Sequence, residues 1–275
     1  MSKMTPLDAK REALLAQLAA LRSCAVAFSG GVDSAVVAKA AQLTLGDRAI
    51  AVTGTSASLA AGELDEARDL ARLIGIRHLE LPTSELESPD YTRNAPDRCY
   101  HCKTELYTQL SRRLPELGVA AVVNGANADD LGDYRPGLRA AAEHQIHSPL
   151  ADCGITKAEV RELAAGWGLP VWDKPATPCL SSRLAYGQAV TPERLAMIDG
   201  AEQFLRGAGL RNCRVRYHQG DLARVEIPLA DLPKLVEPAF RGELAAELRR
   251  LGFKFVTLDL EGFRSGSLNQ LVQIG

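Results

Sequence analysis

Long apolar runs are absent from this sequence. No stretch approaches the ~18 uninterrupted apolar residues that a membrane-spanning helix needs. The N-terminal stretch MSKMTPLDAKREALLAQLAALRS is charged early and helical in pattern, which argues against a signal peptide and against a membrane anchor. A charge excess is also absent: 32 Lys and Arg stand against 34 Asp and Glu, for a formal net charge of -2. Proteins that grip nucleic acid by its phosphates carry a basic excess or a basic stripe, so nucleic acid is not the expected partner. There is no internal repeat and no low-complexity segment. The expectation is a cytoplasmic protein whose six cysteines, in a reducing compartment, do not pair as structural disulfides.

The 275 residues and 46% hydrophobic content are enough for one large domain or two smaller ones, each with its own core. The first two-thirds alternate strand and helix. Short apolar strands are expected at 25–28, 49–53, 78–81 and 119–124. Helices are expected at 34–44, 61–74, 102–114 and 156–166, the last with Thr156 as N-cap and Glu159 as capping-box partner. A polar loop fills 82–98. This rhythm predicts an α/β fold, a parallel sheet with helices on both faces, over residues 1–183. The pattern then changes to helix 191–206, strands 213–217 and 223–228 joined as a hairpin, helix 231–250 and strand 253–259. Residues 184–275 therefore read as a small α+β domain for substrate binding or oligomerisation.

Chemistry is concentrated at the first strand-to-helix turn, Ser29-Gly30-Gly31-Val32-Asp33-Ser34. Paired glycines let backbone approach an anion, the N–H groups of the turn and helix start point at it, and the helix dipole adds attraction. Ser29 and Ser34 supply hydroxyls. Asp33 repels an anion by itself, so it calls for a bridging Mg2+ or an orienting hydrogen bond within the loop. The Gly-x4-Gly-Lys-Ser/Thr loop of the common NTPases is not there. The turn resembles the SGGxDS motif of the PP-loop ATP pyrophosphatases, matching at Ser29, Gly30, Gly31, Asp33 and Ser34. That resemblance implies ATP cleaved between its α- and β-phosphates, pyrophosphate held in the loop, and AMP passed to an oxygen of the substrate.

Further segments narrow the resemblance. They are Asp97-Arg98-Cys99-Tyr100-His101-Cys102-Lys103, Asn124 to Asp130, Asp133-Tyr134-Arg135-Pro136-Gly137, Pro178-Cys179-Leu180-Ser181-Ser182-Arg183, Arg214-Val215-Arg216, and Gly262-Phe263-Arg264-Ser265-Gly266. Together, from about residue 15 to 270, they resemble the LarE family of ATP-dependent sulfur transferases, which serve the nickel-pincer nucleotide pathway of lactate racemase. The resemblance implies a pyridinium mononucleotide substrate bearing two carboxylates. ATP adenylates a carboxylate, a sulfur nucleophile displaces AMP, and a thiocarboxylate results. It also implies a homo-oligomer.

The cysteines leave alternatives open. Cys99-x-x-Cys102 lacks a thioredoxin-like context for a redox disulfide and lacks a second pair for zinc. With Cys179 it makes three thiols, able to carry a [4Fe–4S] cluster with one open iron. The family contains a three-cysteine cluster type, which this sequence resembles, and a type that sacrifices the sulfur of one cysteine, here Cys179. A structural role is the third reading. Cys24, Cys153 and Cys213 read as small buried hydrophobes, and Trp167 and Trp172 as packing residues at the domain junction.

Asp129 and Asp130 follow the fourth strand, where ligands bind in doubly wound sheets, and suit Mg2+ or substrate. Arg214 and Arg216 alternate on one strand and project to the same face, where an arginine fork suits phosphate or carboxylate. The resemblance places Arg183, Arg214 and Arg216 along the substrate site and Glu202 near a metal or phosphate. Arg135 and Arg139 can reach phosphate, with roles left open, and His101 and His218 read as surface polar residues. Three rivals remain: a tRNA thiolase, an ammonia-using synthetase that leaves the three cysteines without a purpose, and a nucleotide-binding sensor.

Overall fold

The computed structural model describes residues 5–132, 135–175 and 177–264. Asp133, Tyr134, Ser265 and Gly266 of the motif segments lie outside the described residues. The chain opens with α1 (Pro6–Ala20), β1 (Cys24–Ala27), α2 (Val32–Leu45), β2 (Ala49–Thr55), α3 (Glu63–Ile74), β3 (Arg77–Pro82), α4 (Pro89–Thr92), α5 (Arg98–Leu117) and β4 (Ala121–Val123). It continues with α6 (Pro136–Glu143), α7 (Pro149–Asp152), α8 (Lys157–Gly166), α9 (Pro192–Gly207), β5 (Arg214–His218), β6 (Leu222–Glu226), α10 (Leu232–Val236), α11 (Pro238–Arg250) and β7 (Phe255–Leu258).

Two compact units form. Among the described residues, the first takes those within 5–56, 62–85 and 99–177, and the second those within 57–61, 86–98 and 178–264. The division by packing thus falls after Thr177, not after Arg183, and two stretches from early in the chain count with the second unit.

In the first unit the strands run in the order β3-β2-β1-β4, all parallel, with Cys24 level with Ala49 on one side and Ala121 on the other. Strand alternation sorts the side chains onto two faces. Cys24, Val26 and Phe28 join one apolar cluster with residues of α1, α2, α3 and α8. Ala25, Ala27, Ile50 and Val52 join another with Tyr107 and Leu110 of α5 and Ala140 and Ala141 of α6. The expected parallel sheet with helices on both faces is what forms. Among the described residues, no helix is long and apolar enough to cross a membrane.

The helix starts follow the capping rules. The Thr5 hydroxyl accepts from the Asp8 N–H and the Thr156 hydroxyl from the Glu159 N–H, both in reciprocal capping boxes. Helix α5 is longer than the expected 102–114 because Arg98 starts it and Pro115 sits in its last turn without ending it. The expected loop 82–98 contains the short α4.

The second unit has a sheet in the order β5-β6-β7, with β5 and β6 antiparallel and β6 and β7 parallel. Gly220 (φ +80°) and Asp221 (φ +56°) make the tight turn of the hairpin, where a left-handed backbone is required. The single helix expected over 231–250 is two helices, because Pro238 cannot continue one and pushes Glu237 to φ -55°, ψ 131°. Cys24 and Cys213 are buried as expected, while Cys153 is half-exposed, its Sγ donating to Gln17 Oε1 at 3.3 Å. Trp167 packs against the first core, but Trp172 is 48% exposed and is not a packing residue.

Candidate active site

Strand order places the first site. From β1 the chain steps outward through β2 to β3, and β4 then returns to the opposite side of β1. The loops after β1 and β4 therefore flank a topological switch point, the habitual ligand crevice of open parallel sheets.

The loop after β1 is built by its own hydroxyls. The Ser29 N–H donates to Ser34 Oγ at 3.2 Å, and the Ser34 hydroxyl donates to the Gly31 carbonyl at 3.0 Å. The Gly31 N–H reaches Ser29 Oγ at 3.4 Å. Ser34, at 4% exposure, thus shapes the turn, whereas Ser29 is exposed. Gly30 takes φ +71°, and a Cβ there meets the Ala67 side chain at 3.3 Å. Gly31 is the N-cap of α2, and among the described residues no side chain caps that helix. The start of α2 therefore carries the positive end of the helix dipole with no side-chain cap among the described residues.

Asp33 is oriented from outside its own loop. Asn127 Nδ2 donates to Asp33 Oδ1 at 3.0 Å, and Lys157 Nζ pairs with Asp33 Oδ2. Lys157 was not a candidate in the sequence, because 124 residues separate it from Asp33. Gly125 was also missed. A Cβ there would come within 2.8 Å of the Ser34 backbone nitrogen, so only glycine lets the β4 loop lie against the start of α2. Its signal was its place directly after a strand.

The acidic pair after β4 is engaged in holding this arrangement. Asp129 Oδ2 accepts the Lys157 N–H at 2.8 Å. Asp130 Oδ2 accepts the Asn127 N–H at 3.1 Å, and its other oxygen pairs with Arg135 at 2.8 Å. Arg139 stacks 4.0 Å over the Tyr100 ring. Behind the loop, the Thr53 hydroxyl donates to the Phe28 carbonyl and meets His78 Nε2, both at 2.8 Å. Burial pushes His78 below its ordinary value, opposed by Glu80.

The second unit gathers Arg183, Glu202, Arg214 and Arg216. Arg183 is fully buried and forks onto Glu202 through Nε at 3.0 Å and Nη2 at 3.2 Å. Its Nη1 donates to the carbonyls of Pro178 and, at 3.0 Å, Cys179. It therefore holds the backbone of Cys179, whose thiol is free and half-buried. Glu202, also fully buried, takes Arg206 at 2.7 Å and the Val215 N–H at 3.2 Å as well. Its carboxylate is engaged with arginines and backbone, not with the metal or phosphate expected beside it.

Arg214 and Arg216, at 9% and 6% exposure, do not lie on a solvated face. Arg216 pairs with Glu226 at 3.0 Å and donates to the Ser182 carbonyl at 3.1 Å. Arg214 donates to the Cys213 carbonyl at 2.8 Å and lies 5.2 Å over the Phe263 ring. Burial, then the charge of Arg183 and to a lesser degree that of Arg216, pushes the Arg214 guanidinium below its ordinary value. Crowded buried cations of this kind favour an anion such as phosphate or carboxylate.

Burial separates the cysteines into two sets. It pushes the Cys24 thiol up to about 12, pushes Cys213 up to about 11, and raises Cys153. These are poor thiolate donors. Cys99 is exposed and Cys102 half-buried, one turn apart on α5 of the first unit, and Cys179 belongs to the second. Within either unit, among the described residues, no three His, Cys, Asp or Glu side chains are assembled around a metal position.

Comparison with known proteins bears on this geometry. The asparagine synthase family model matches residues 8–129, the stretch that carries the pyrophosphate loop and the turn after β4. The pyridinium-3,5-bisthiocarboxylic acid mononucleotide synthase of Lactiplantibacillus plantarum is 39% identical over 97% of this chain and 96% of its own length. This chain belongs to the LarE family. An uncharacterised protein of Synechocystis sp. is 46% identical over 97% of the chain and 99% of its own length. The tRNA-specific 2-thiouridylase of Azorhizobium caulinodans is 31% identical but covers only 54% of the chain and 48% of its own length. This LarE-family chain is an ATP-dependent sulfur transferase, with a PP-loop domain that uses ATP.

Proposed function

We propose that this LarE-family enzyme adenylates a carboxylate of a pyridinium dicarboxylate mononucleotide and converts it to a thiocarboxylate, in two rounds. Oxide is a poor leaving group, and the acyl-adenylate replaces it with AMP. Pyrophosphate leaves in the first step, and AMP in the second when sulfur attacks the acyl carbon. Ser29, Gly30, Gly31 and the start of α2 would receive the pyrophosphate, and Asp33 would hold a Mg2+, which would supply positive charge against the phosphates. Arg214 and Arg216 would offer charge to the nucleotide's phosphate and second carboxylate, while the fully buried Arg183, expected to line the substrate site, instead holds the backbone of Pro178 and Cys179. The observation that carries the reading is the buried Arg183 holding the backbone of Cys179, in a chain 39% identical to the Lactiplantibacillus plantarum synthase over 97% of its length.

Cys99, Cys102 and Cys179 are the thiols that would hold a [4Fe–4S] cluster: Cys99 is exposed and Cys102 and Cys179 are half-buried, whereas burial raises the thiols of Cys24, Cys153 and Cys213. When bound, such a cluster supplies an open iron for an added sulfide. The chain's own contribution is the Arg183 grip that sets Cys179. The cytoplasm and a homo-oligomer complete the proposal.

The test is anaerobic incubation with Mg2+-ATP, the dicarboxylate mononucleotide and sulfide. AMP, pyrophosphate and a thiocarboxylate product are expected. Formation of 2-thiouridine in tRNA, with no thiocarboxylate, would sink the reading. Iron and sulfide analysis distinguishes the two sulfur routes: a cluster-free protein whose Cys179 becomes dehydroalanine supports sacrifice.

A further inference from the structure

Of the Asp97 to Lys103 segment, the proposed function uses the two cysteines and leaves Arg98 without a role. Arg98 is nonetheless buried, at 6% exposure. Burying a guanidinium is costly unless polar groups receive it. Its Nη1 donates to the Asn94 side-chain oxygen at 2.5 Å and to the Ser181 carbonyl at 2.7 Å.

We propose that Arg98 is a positioning residue for sulfur transfer: by holding the Ser181 carbonyl, it fixes the turn on which Cys179 stands. That turn is the short helical stretch Leu180–Arg183, with Cys179 at its start. A single helical turn has few internal hydrogen bonds, so its place is set from outside. The Leu180 N–H donates to the Ser58 carbonyl at 2.9 Å. Ser181 is fully buried, and its hydroxyl lies 2.6 Å from that of Tyr91. Three buried arginines then hold the carbonyls: Arg183 that of Cys179, Arg98 that of Ser181 and Arg216 that of Ser182. Asn94 stiffens the middle grip. It is fully buried in left-handed backbone, φ +56°, which asparagine tolerates. Its Nδ2 donates to the Ala185 carbonyl at 2.9 Å, so one amide ties Arg98 to the segment just after the turn. In the sulfur step a sulfur–carbon bond forms at the acyl carbon, and AMP leaves with the electron pair of its C–O bond. A displacement of about 1 Å costs such a step about 100-fold. Adenylation makes no use of Cys179. The proposal rests on the thiocarboxylate reading and holds for either sulfur route.

The experiment reads the two steps apart in the full chain, anaerobically, alongside thermal melts. With Mg2+-ATP and the dicarboxylate mononucleotide, exchange of labelled pyrophosphate into ATP reports adenylation. With sulfide added, thiocarboxylate formation reports sulfur transfer. In Arg98→Met, thiocarboxylate formation is expected to fall at least tenfold while exchange stays within twofold of wild type. Wild-type thiocarboxylate formation overturns the proposal, and so do equal losses in both readings, which are what a merely structural arginine gives. If that variant melts well below wild type, Arg98→Lys, which keeps a cation on a different stem, decides. A loss confined to thiocarboxylate formation supports the proposal, and any other outcome overturns it. Failure of the thiocarboxylate reading shows in the wild type, which then forms none, and takes this inference with it. Failure of this inference alone shows only in the variants, against a wild type that does form the product.

Discussion

The loop after β1 and the arginine cluster are held together by opposite means. The loop uses backbone: N–H groups at a helix start, a glycine at φ +71°, and hydroxyls that tie the turn to itself. Its partners are open to solvent, with Asp33 at 25% and Lys157 at 36% side-chain exposure. The cluster uses buried side-chain charge, with Arg183 and Glu202 both fully excluded from water. A backbone cradle tolerates changes of charge and fails on shape. A buried ion network tolerates small changes of shape and fails on charge.

Substitutions can break that contrast, and the largest effect is expected in the cluster. Glu202→Ala leaves Arg183 and Arg206 without their shared carboxylate. Removing one partner of a buried pair costs about 3–5 kcal/mol, so a comparable fall in unfolding free energy in urea is expected. A loss below about 1 kcal/mol would show the network to be dispensable.

The next effect belongs to shape. Gly125→Ala drives a Cβ to 2.8 Å from the Ser34 nitrogen and displaces the loop or the start of α2. A displacement approaching 1 Å costs catalysis about 100-fold, so AMP formation should fall by about that factor. Wild-type turnover in this variant would contradict the proposed close approach.

A smaller cost is expected at Gly30→Ala, where φ +71° and the Ala67 neighbour strain any side chain. Left-handed backbone costs a non-glycine residue about 1–2 kcal/mol. A matching drop in stability, and weaker pyrophosphate binding than in wild type, are expected.

The smallest effect is a pH dependence, and it compares the two units directly. Burial is the first cause that pushes both His78, in the first unit, and His218, in the second, below the ordinary 6.5. Their unfolded states take up protons first as pH falls. Their contribution to stability is therefore complete above pH 6.5 and is lost as pH falls through their folded-state values. Urea midpoints should drop between pH 7.5 and pH 5. Replacing His218 by Phe should reduce the drop while leaving the share from His78.

Legibility differed between the two regions for a physical reason. The pyrophosphate loop was readable because its residues are contiguous and because strand, paired glycines and helix start follow one another within a few positions. The parallel sheet was readable because buried strands are short apolar runs between amphipathic helices. The second domain was readable in order but not in detail, since Pro238 split a helix that looked continuous. The burial of Arg214 and Arg216 was not readable, because Glu226 and Phe263 come to them from later in the chain. Lys157 was invisible because it matters only through a partner brought close by the sheet, and Gly125, though within the Asn124–Asp130 segment, shows its close approach to Ser34 only in the fold.

The sequence by itself determined where local physics suffices: the phosphate-cradling turn, the capping boxes at Thr5 and Thr156, and the alternating α/β pattern. It also determined the family, which a relative 39% identical over 97% of the chain bears out. Tertiary structure alone decided how each charge is used. Glu202 became the buried counter-ion of Arg183, Asp129 became an anchor for the start of α8, and Asp33 acquired a lysine 124 residues away. A charged side chain takes its function from the charges packed against it, and those are chosen by the fold.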